Sequence, residues 1–225
     1  MPKNYIAERQ KQLKNKAIDF YTSRGLHVFF QQPVENVNVE KVIAQIEQTL
    51  PPHLLSEIEM IIFGWFKEFE ERSLNAFYDG GSLYISFLQD DEEQLYEDIL
   101  HETAHSLEEA YGYEIYADEK IKDEFIRKRM YLHDLMWNAG FKAPKAFFAD
   151  SEYNKEFDMF LYEKVGYDRV SALVQGLYIN AYAPTSLREY FATAFTDFYT
   201  NSDHAFLKKV SPELYKKIAS LHNIK

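Results

Sequence analysis

Short apolar runs alternate with amphipathic stretches along the first ninety residues, a pattern typical of a mixed α/β segment. Apolar residues recur at helical spacing over Val39–Leu50, and Pro51-Pro52 follows, so this stretch is predicted to be a helix. Ile58–Phe66 is apolar and β-branched, which favours a buried strand, with a helix as the alternative. The remaining predicted elements are a charged helix over 4–21 that ends near Gly25 and a strand over Leu26–Gln31 closed by Pro33.

A β-hairpin is predicted next, because Asp79-Gly80-Gly81 supplies turn residues between two apolar runs. Its first strand covers 76–78 and its second covers Ser82–Leu88. Alternation places three apolar side chains on one face of the second strand, namely Leu83, Ile85 and Phe87. We interpret this second strand as a possible edge strand.

The acidic run Asp90–Glu93 has the spacing of a helix N-terminus and predicts a helix of about twenty residues. Gly112 is the predicted stop of this helix. Its buried face is marked by Leu95, Ile99 and Leu107. From Tyr116 onward the pattern is almost entirely helical, with predicted helices over 117–139, 152–165, 168–179, 186–200 and 203–221.

These elements predict an α+β fold in one domain over residues 1–225. The N-terminal lobe, about residues 1–112, would hold a small mixed sheet and the helix that begins near Asp90. The C-terminal lobe, about residues 113–225, would be mostly helical.

The candidate chemistry lies in the helix that follows the hairpin, at His101-Glu-Thr-Ala-His105. Residues four apart share one helix face, so the rings of His101 and His105 can reach a single metal ion. Glu102 lies beside this pair, where a carboxylate can act on an attacking water as general base. The arrangement is the H-E-x-x-H motif of zinc peptidases.

Composition narrows the kind of metal site and the partners. The chain has no cysteine, so a Zn²⁺ ion would have to be held by histidine and carboxylate. A formal net charge of −11 argues against nucleic-acid and anionic-membrane partners. The N-terminal sequence lacks a signal-peptide pattern and no apolar run approaches the length of a membrane span, so a cytoplasmic protein is expected.

A catalytic zinc usually has three protein ligands, and the third one is not settled by the motif. The metzincin solution is excluded because Glu108 and Tyr111 occupy the positions that it needs. Glu124 follows His105 at a spacing used by aminopeptidase-type zincins, but in a charged helix. Glu189 lies in an otherwise apolar helix, where a carboxylate calls for a partner, although Ser186-x-x-Glu189 is also a capping box.

Tyr182 lies seven residues before Glu189 and favours Glu189 as the ligand, because a phenol there could donate to an oxyanion. With this tyrosine, the motifs resemble those of the anthrax-lethal-factor-like zinc metallopeptidases, which include lethal factor's catalytic domain and the proline–proline endopeptidases. The resemblance covers roughly residues 75–215 and implies a zincin-like fold. It implies that His101, His105 and Glu189 bind zinc, with Glu102 as base and Tyr182 as oxyanion donor.

One departure from the family pattern concerns the helix of Glu189. The second acid of the family's E-F-F-A-E stretch is replaced by Thr193. If that acid orients a ligand, either Thr193 does so as a neutral group or Asp197, one turn later, substitutes for it.

The resemblance implies a zinc-dependent endopeptidase that hydrolyses peptide bonds with a zinc-activated water and Glu102 as base. A protein or peptide substrate would bind as an extended strand near Ser82–Leu88. Two alternatives are open. The first is a different intracellular H-E-x-x-H peptidase that uses Glu124 as third ligand. The second is a catalytically weak, zinc-binding interaction protein on a peptidase scaffold.

Overall fold

The computed structural model describes residues 19–72 and 74–224, so residues 4–18 of the first predicted helix lie outside the described part. The chain is α+β, as predicted. It divides into two compact units, with the boundary inside one long helix, after Ser106. That helix therefore contributes to both units.

The first unit contains a five-stranded mixed sheet. Its strands are β1 (Asp19–Tyr21), β2 (His27–Phe30), β3 (Met60–Gly64), β4 (Ala76–Asp79) and β5 (Ser82–Ser86). Their order across the sheet is β1-β2-β3-β5-β4. The three central strands are parallel to one another, and each outer strand is antiparallel to its neighbour.

The core of this unit lies along one side of the sheet. Alternate residues of the central strands are at most 1% exposed, namely Val28, Ile61, Phe63, Leu83 and Ile85. The predicted helix before the prolines is confirmed as α1 (Val39–Thr49). It begins where the Asn38 side chain accepts the Lys41 N–H at 3.0 Å, and Val42, Ile43 and Ile46 are buried along it. The predicted strand within 58–66 is confirmed as β3.

The hairpin is confirmed, with Asp79 paired to Ser82 across a two-residue turn. Gly80 and Gly81 have φ angles of 50° and 80°, a region that favours glycine and fits the type I′ turn of tight hairpins.

The expected edge strand at Ser82–Leu88 is wrong. β5 is hydrogen-bonded to β3 on one side and to β4 on the other, so its backbone cannot accept an added strand. The outer strands are β1 and β4. The strand nearest the motif in sequence is not the outermost one, because the hairpin places β4 outside β5.

The first predicted helix is also wrong where it can be checked, because Asp19–Tyr21 forms strand β1. Its register is set by pairing with β2, from Asp19 opposite Phe29 to Tyr21 opposite His27. Two short elements of this unit were not predicted, a 3₁₀ turn over Pro52–Leu55 and helix α2 (Lys67–Arg72).

The motif helix is α3 (Glu92–Tyr116), with 25 residues. Its N-terminus is capped as the acidic run predicts, since the Asp91 carboxylate accepts the Gln94 N–H at 2.8 Å. The predicted stop at Gly112 is wrong. A glycine weakens a helix by only about 1 kcal/mol, and the fully buried Ile115 beyond it continues the packing.

The second unit is helical in its described residues. After the last turns of α3 come α4 (Lys120–Asn138), α5 (Ala146–Ala149), α6 (Lys155–Met159) with a π turn over Phe160–Val165, α7 (Tyr167–Val174), α8 (Leu187–Thr200), α9 (Ala205–Val210) and α10 (Pro212–His222). The helix predicted over 203–221 is thus two helices separated at Ser211, where Pro212 begins the second. Helix α4 contacts α5, α7, α8 and α10 and forms the centre of this unit.

Arg129 of α4 is fully buried and holds the segment that follows α5. Its guanidinium donates to the carbonyl oxygens of Phe147 and Asp150, the latter at 2.8 Å. It also lies over the ring of Phe157, 4.2 Å from the centroid. Burial lowers the pKa of Arg129 to about 10, which leaves it charged at neutral pH.

Within residues 19–72 and 74–224, no helix has both the length and the apolar character of a membrane-spanning segment.

Candidate metal centre

Helix α3 presents His101 and His105 on one face. Their ring centroids are 5.0 Å apart and their planes are inclined by 77°. The adjoining face of the helix is tightly packed, with Leu100, Ala104 and Leu107 fully buried. The prediction that the two imidazoles share a face is therefore confirmed. Glu102 is 7% exposed beside them.

Helix α8 carries Glu189 in its first turn. The helix begins at Ser186, whose hydroxyl accepts the Glu189 N–H at 3.1 Å, so the predicted cap is present. The next backbone N–H, of Leu187, donates to Ser151 O at 2.8 Å and fixes the start of the helix. The cap satisfies the backbone N–H of Glu189.

The start of α8 packs against the last turns of α3. Arg188 donates to Glu108 Oε2, and the Tyr116 hydroxyl donates to Glu108 Oε1 at 2.9 Å. The rings of Tyr116 and Phe191 are 6.3 Å apart. These contacts hold the first turn of α8 against Glu108, which follows His105 by three residues on α3.

His101, His105 and Glu189 form a cluster that could hold a metal ion, the one such group of three or more in the described residues. One ligand atom from each lies within 4.8 Å of the others, and all three residues are half-buried. Ligand atoms of a tetrahedral zinc ion lie about 3.4 Å apart, given bond lengths near 2.1 Å. The donor set fits zinc, and the three atoms need to approach one another by no more than about 1.4 Å to bind it.

Tyr182 lies in the loop before α8. Its backbone is held on both sides, since its N–H donates to Asn180 Oδ1 at 3.0 Å and its carbonyl accepts the Thr185 hydroxyl at 2.8 Å. Burial, with the neighbouring Glu189 carboxylate, raises the pKa of the Tyr182 phenol well above its usual value. The phenol therefore keeps its proton and remains a hydrogen-bond donor at neutral pH.

Glu124, the other candidate for third ligand, is not part of the cluster. Its carboxylate is buried and engaged on both oxygens. Oε1 accepts the Tyr190 hydroxyl at 2.8 Å, and Oε2 accepts the Glu213 N–H at 3.1 Å. The sequence context of Glu124 suggested a solvated charged helix face, whereas this carboxylate is a core group that caps α10.

Asp98 was missed by the sequence reasoning and lies one turn before His101 on α3. Its Oδ2 atom is buried and has no hydrogen-bond partner among the described residues. Burial and repulsion from Glu102 raise the pKa of the Asp98 carboxyl to about 7. Its spacing, three residues before His101 and four before Glu102, was the signal that could have identified it.

Thr193 and Asp197 are the two residues that could substitute for the family's second acid. The Thr193 hydroxyl is buried and makes no hydrogen bond within the described part of the chain. The Asp197 carboxylate accepts from the Asn201 side-chain amide at 2.7 Å. Burial raises the pKa of Asp197. In the part of the chain that the structure describes, neither side chain is hydrogen-bonded to a member of the cluster.

No protein-family model matches this chain, and neither a curated protein nor a solved structure is significantly similar to it. The resemblance to the lethal-factor-like peptidases therefore depends on the motif residues alone.

Proposed function

We propose that this chain is a zinc-dependent endopeptidase with a zincin-like fold, of the lethal-factor-like kind. The observation that carries the proposal is the cluster of His101, His105 and Glu189, contributed by positions 84 residues apart in the sequence. Two imidazoles and one carboxylate are the ligand set of many catalytic zinc sites. Glu102 and Tyr182 add a base and a donor to this set.

A zinc ion held by these three residues would supply a Lewis acid that polarises the scissile carbonyl and lowers the pKa of the attacking water. Glu102 accepts the proton of that water and later delivers it to the leaving nitrogen. The Tyr182 phenol donates a hydrogen bond to the carbonyl oxygen as negative charge develops on it. One such donor contributes about 3 kcal/mol to transition-state stabilisation. The substrate is a protein or peptide.

The test measures bound zinc and peptide turnover in the same preparations. Glu102→Gln is expected to retain zinc and to lose turnover, because amide nitrogen cannot accept the proton. Glu189→Ala is expected to lose zinc, because two histidines alone bind it weakly. Tyr182→Phe is expected to retain zinc and to lower kcat by about 100-fold. Metal analysis and a mixed peptide library provide the two readouts.

Glu109→Ala is the matched control, since Glu109 is an exposed acid on the same helix as the motif. It should change neither zinc content nor turnover. Full zinc in Glu189→Ala together with loss of zinc in Glu124→Ala would refute the ligand assignment and favour the other H-E-x-x-H peptidase. Circular dichroism of each variant separates loss of zinc from loss of fold.

A second candidate function is a zinc-binding interaction protein with little or no activity. The observation that favours it is Thr193, whose hydroxyl supports no member of the cluster in the described residues. Supporting groups behind metal ligands typically change affinity or activity 10- to 100-fold, to order of magnitude. Stoichiometric zinc without cleavage of any peptide in the library would select this candidate.

A further inference from the structure

A carboxylate held by two phenols lies in the second unit. The Tyr153 hydroxyl donates to Asp158 Oδ2 at 2.8 Å, and the Tyr167 hydroxyl donates to Asp158 Oδ1 at 3.2 Å. We refer to Tyr153, Asp158 and Tyr167 as the Tyr–Asp cluster. Each carboxylate oxygen can accept two hydrogen bonds, so both oxygens of Asp158 retain capacity for a further donor.

Within the described residues, no cationic side chain balances the charge of Asp158. Across residues 19–72 and 74–224, both of its hydrogen-bond partners are neutral phenols, and no ion pair is formed there. A half-buried carboxylate without a cation bears a desolvation cost, which a bound cation would offset. The unbalanced negative charge therefore indicates that a ligand at this site would be positively charged.

The Tyr–Asp cluster lies beside the residues assigned to the chemistry. Burial first, and then the carboxylates of Glu189 and Asp158, raise the pKa of Tyr182. Burial, Asp158 and Glu189 likewise raise the pKa of Tyr167. The segment that leads into the cluster also lies against the start of α8, since the Leu187 N–H, two residues before Glu189, donates to Ser151 O at 2.8 Å. All of these residues belong to the second unit.

Two exposed aromatic rings, one within the Tyr–Asp cluster and one beside it, are available to a ligand. Tyr153 is 53% exposed and Tyr162 is 62% exposed, and the rings of Tyr162 and Tyr167 are 5.9 Å apart. Aromatic faces attract cations, most strongly where a carboxylate contributes as well. A long, flat cation such as a guanidinium could donate to Asp158 while its face contacts a ring.

Hydrogen bonds and a buried side chain fix the backbone that carries the Tyr–Asp cluster. Asn154 caps α6 by accepting the Phe157 N–H at 3.0 Å, and Phe157 is fully buried. Arg129 fixes the carbonyl of Asp150, and Leu187 N–H fixes that of Ser151. A carboxylate positioned by such contacts can select a substrate, because little entropy is lost when the substrate binds.

We propose that the Tyr–Asp cluster is a substrate subsite that binds the cationic side chain of a Lys or Arg residue next to the scissile bond. The inference depends on the proposed peptidase function, and it specifies the substrate class. The cluster adjoins the start of α8, which carries Glu189, and this position would bring the Asp158 side chain next to a residue flanking the cleaved bond.

The kinetic test compares paired peptides in which an arginine flanking the scissile bond is replaced by citrulline, its neutral isostere. The wild-type protein is expected to favour arginine by about tenfold in kcat/KM, as for one charge-assisted hydrogen bond. In Asp158→Asn this ratio should fall to about one. In Glu156→Gln, which removes an exposed acid of the same helix, the ratio should stay at the wild-type value. A wild-type ratio near one, or a ratio that Asp158→Asn leaves unchanged, overturns the subsite.

A binding measurement keeps this test independent of turnover. N-acetyl-arginine amide and N-acetyl-citrulline amide are titrated into the full chain, and the tyrosine ring resonances are followed by NMR. Saturable shifts with the arginine probe only, absent in Asp158→Asn, support the subsite. Equal shifts with both probes, or none, overturn it. Peptide cleavage without a preference for arginine would reject the subsite and leave the peptidase function standing. A zinc-free, inactive chain that still binds the arginine probe would reject the peptidase function and leave the cation-binding site standing.

Discussion

At the residue scale, the candidate centre combines positions that differ in how far the sequence reveals them. His101 and His105 share a face because helical periodicity alone places residues four apart on one side. Glu189 is separated from them by so much chain that spacing could not choose it over Glu124. Tertiary contacts distinguish the two glutamates, because the Glu124 carboxylate already accepts hydrogen bonds from Tyr190 and from the N-terminus of α10.

Thr193 offers a test of whether the helix of Glu189 supports its ligand. Its hydroxyl is buried without a hydrogen bond among the described residues, so replacement by the apolar isostere should remove a desolvation cost. Thr193→Val is expected to raise the free energy of unfolding by up to about 1 kcal/mol and to leave zinc affinity unchanged. Chemical denaturation and zinc titration provide the two values.

A loss of zinc affinity in Thr193→Val would show that the hydroxyl does orient a ligand once the metal is bound. The control is Thr196→Val on the same helix, whose hydroxyl donates to the Ala192 carbonyl at 3.0 Å. Thr196→Val shows how the same substitution changes the free energy of unfolding when a hydrogen bond is lost.

At the element scale, local sequence signals predicted most of the helices and strands. The order in which the strands pair could not be deduced from these signals. The D-G turn identified the hairpin because tight turns require residues that tolerate positive φ. The position of β5 inside the sheet depends on its pairing with β3, across the intervening α2, and no local pattern encodes that pairing. Likewise, Gly112 could not reveal that packing beyond it would continue α3.

The cap of α8 links helix stability to the metal centre. Ser186→Ala removes the hydroxyl that accepts the Glu189 N–H, so the first turn should fray and displace the carboxylate. The expected result is a loss of about 1 kcal/mol in the free energy of unfolding together with weaker zinc binding. Thermal or urea unfolding and a competitive zinc titration measure the two effects.

Asn38→Ala is the matched control, because Asn38 caps α1 through the same kind of hydrogen bond. It should cost similar stability and leave zinc affinity intact. Equal zinc affinity in Ser186→Ala and the wild-type protein would mean that the cap does not position Glu189.

At the scale of the whole molecule, the free energy of unfolding should depend on pH through a buried lysine of the second unit. Lys128 Nζ donates to the hydroxyls of Tyr190 and Ser211, the latter at 2.9 Å. Burial lowers the pKa of Lys128 to about 8, from an ordinary value of 10.5. The groups that face it from its own and neighbouring helices are Glu124, Arg127, Tyr178, Tyr190 and Ser211.

Between pH 8 and 10.5 the unfolded chain retains the Lys128 proton that the folded chain has released. Because the unfolded state binds more protons there, the free energy of unfolding rises with pH, by roughly 2 to 3 kcal/mol from this group. Lys128→Met should abolish that contribution. Urea unfolding at pH 7.5, 9 and 10.5 measures it, relative to Lys122→Met, which removes an exposed lysine of the same helix. Parallel pH profiles of the two variants would contradict the lowered pKa.

Arg129 constrains how this protein can evolve. Its one guanidinium reaches the carbonyls of Phe147 and Asp150, a span that the single ammonium of lysine cannot cover. A lysine at position 129 would therefore leave one of these two carbonyls without its donor. In the proposed subsite, substrate preference could change through the half-buried Asp158 while Arg129 continues to hold α5 and the residue after it. Among related sequences, we therefore expect substitutions at Asp158 more often than at Arg129.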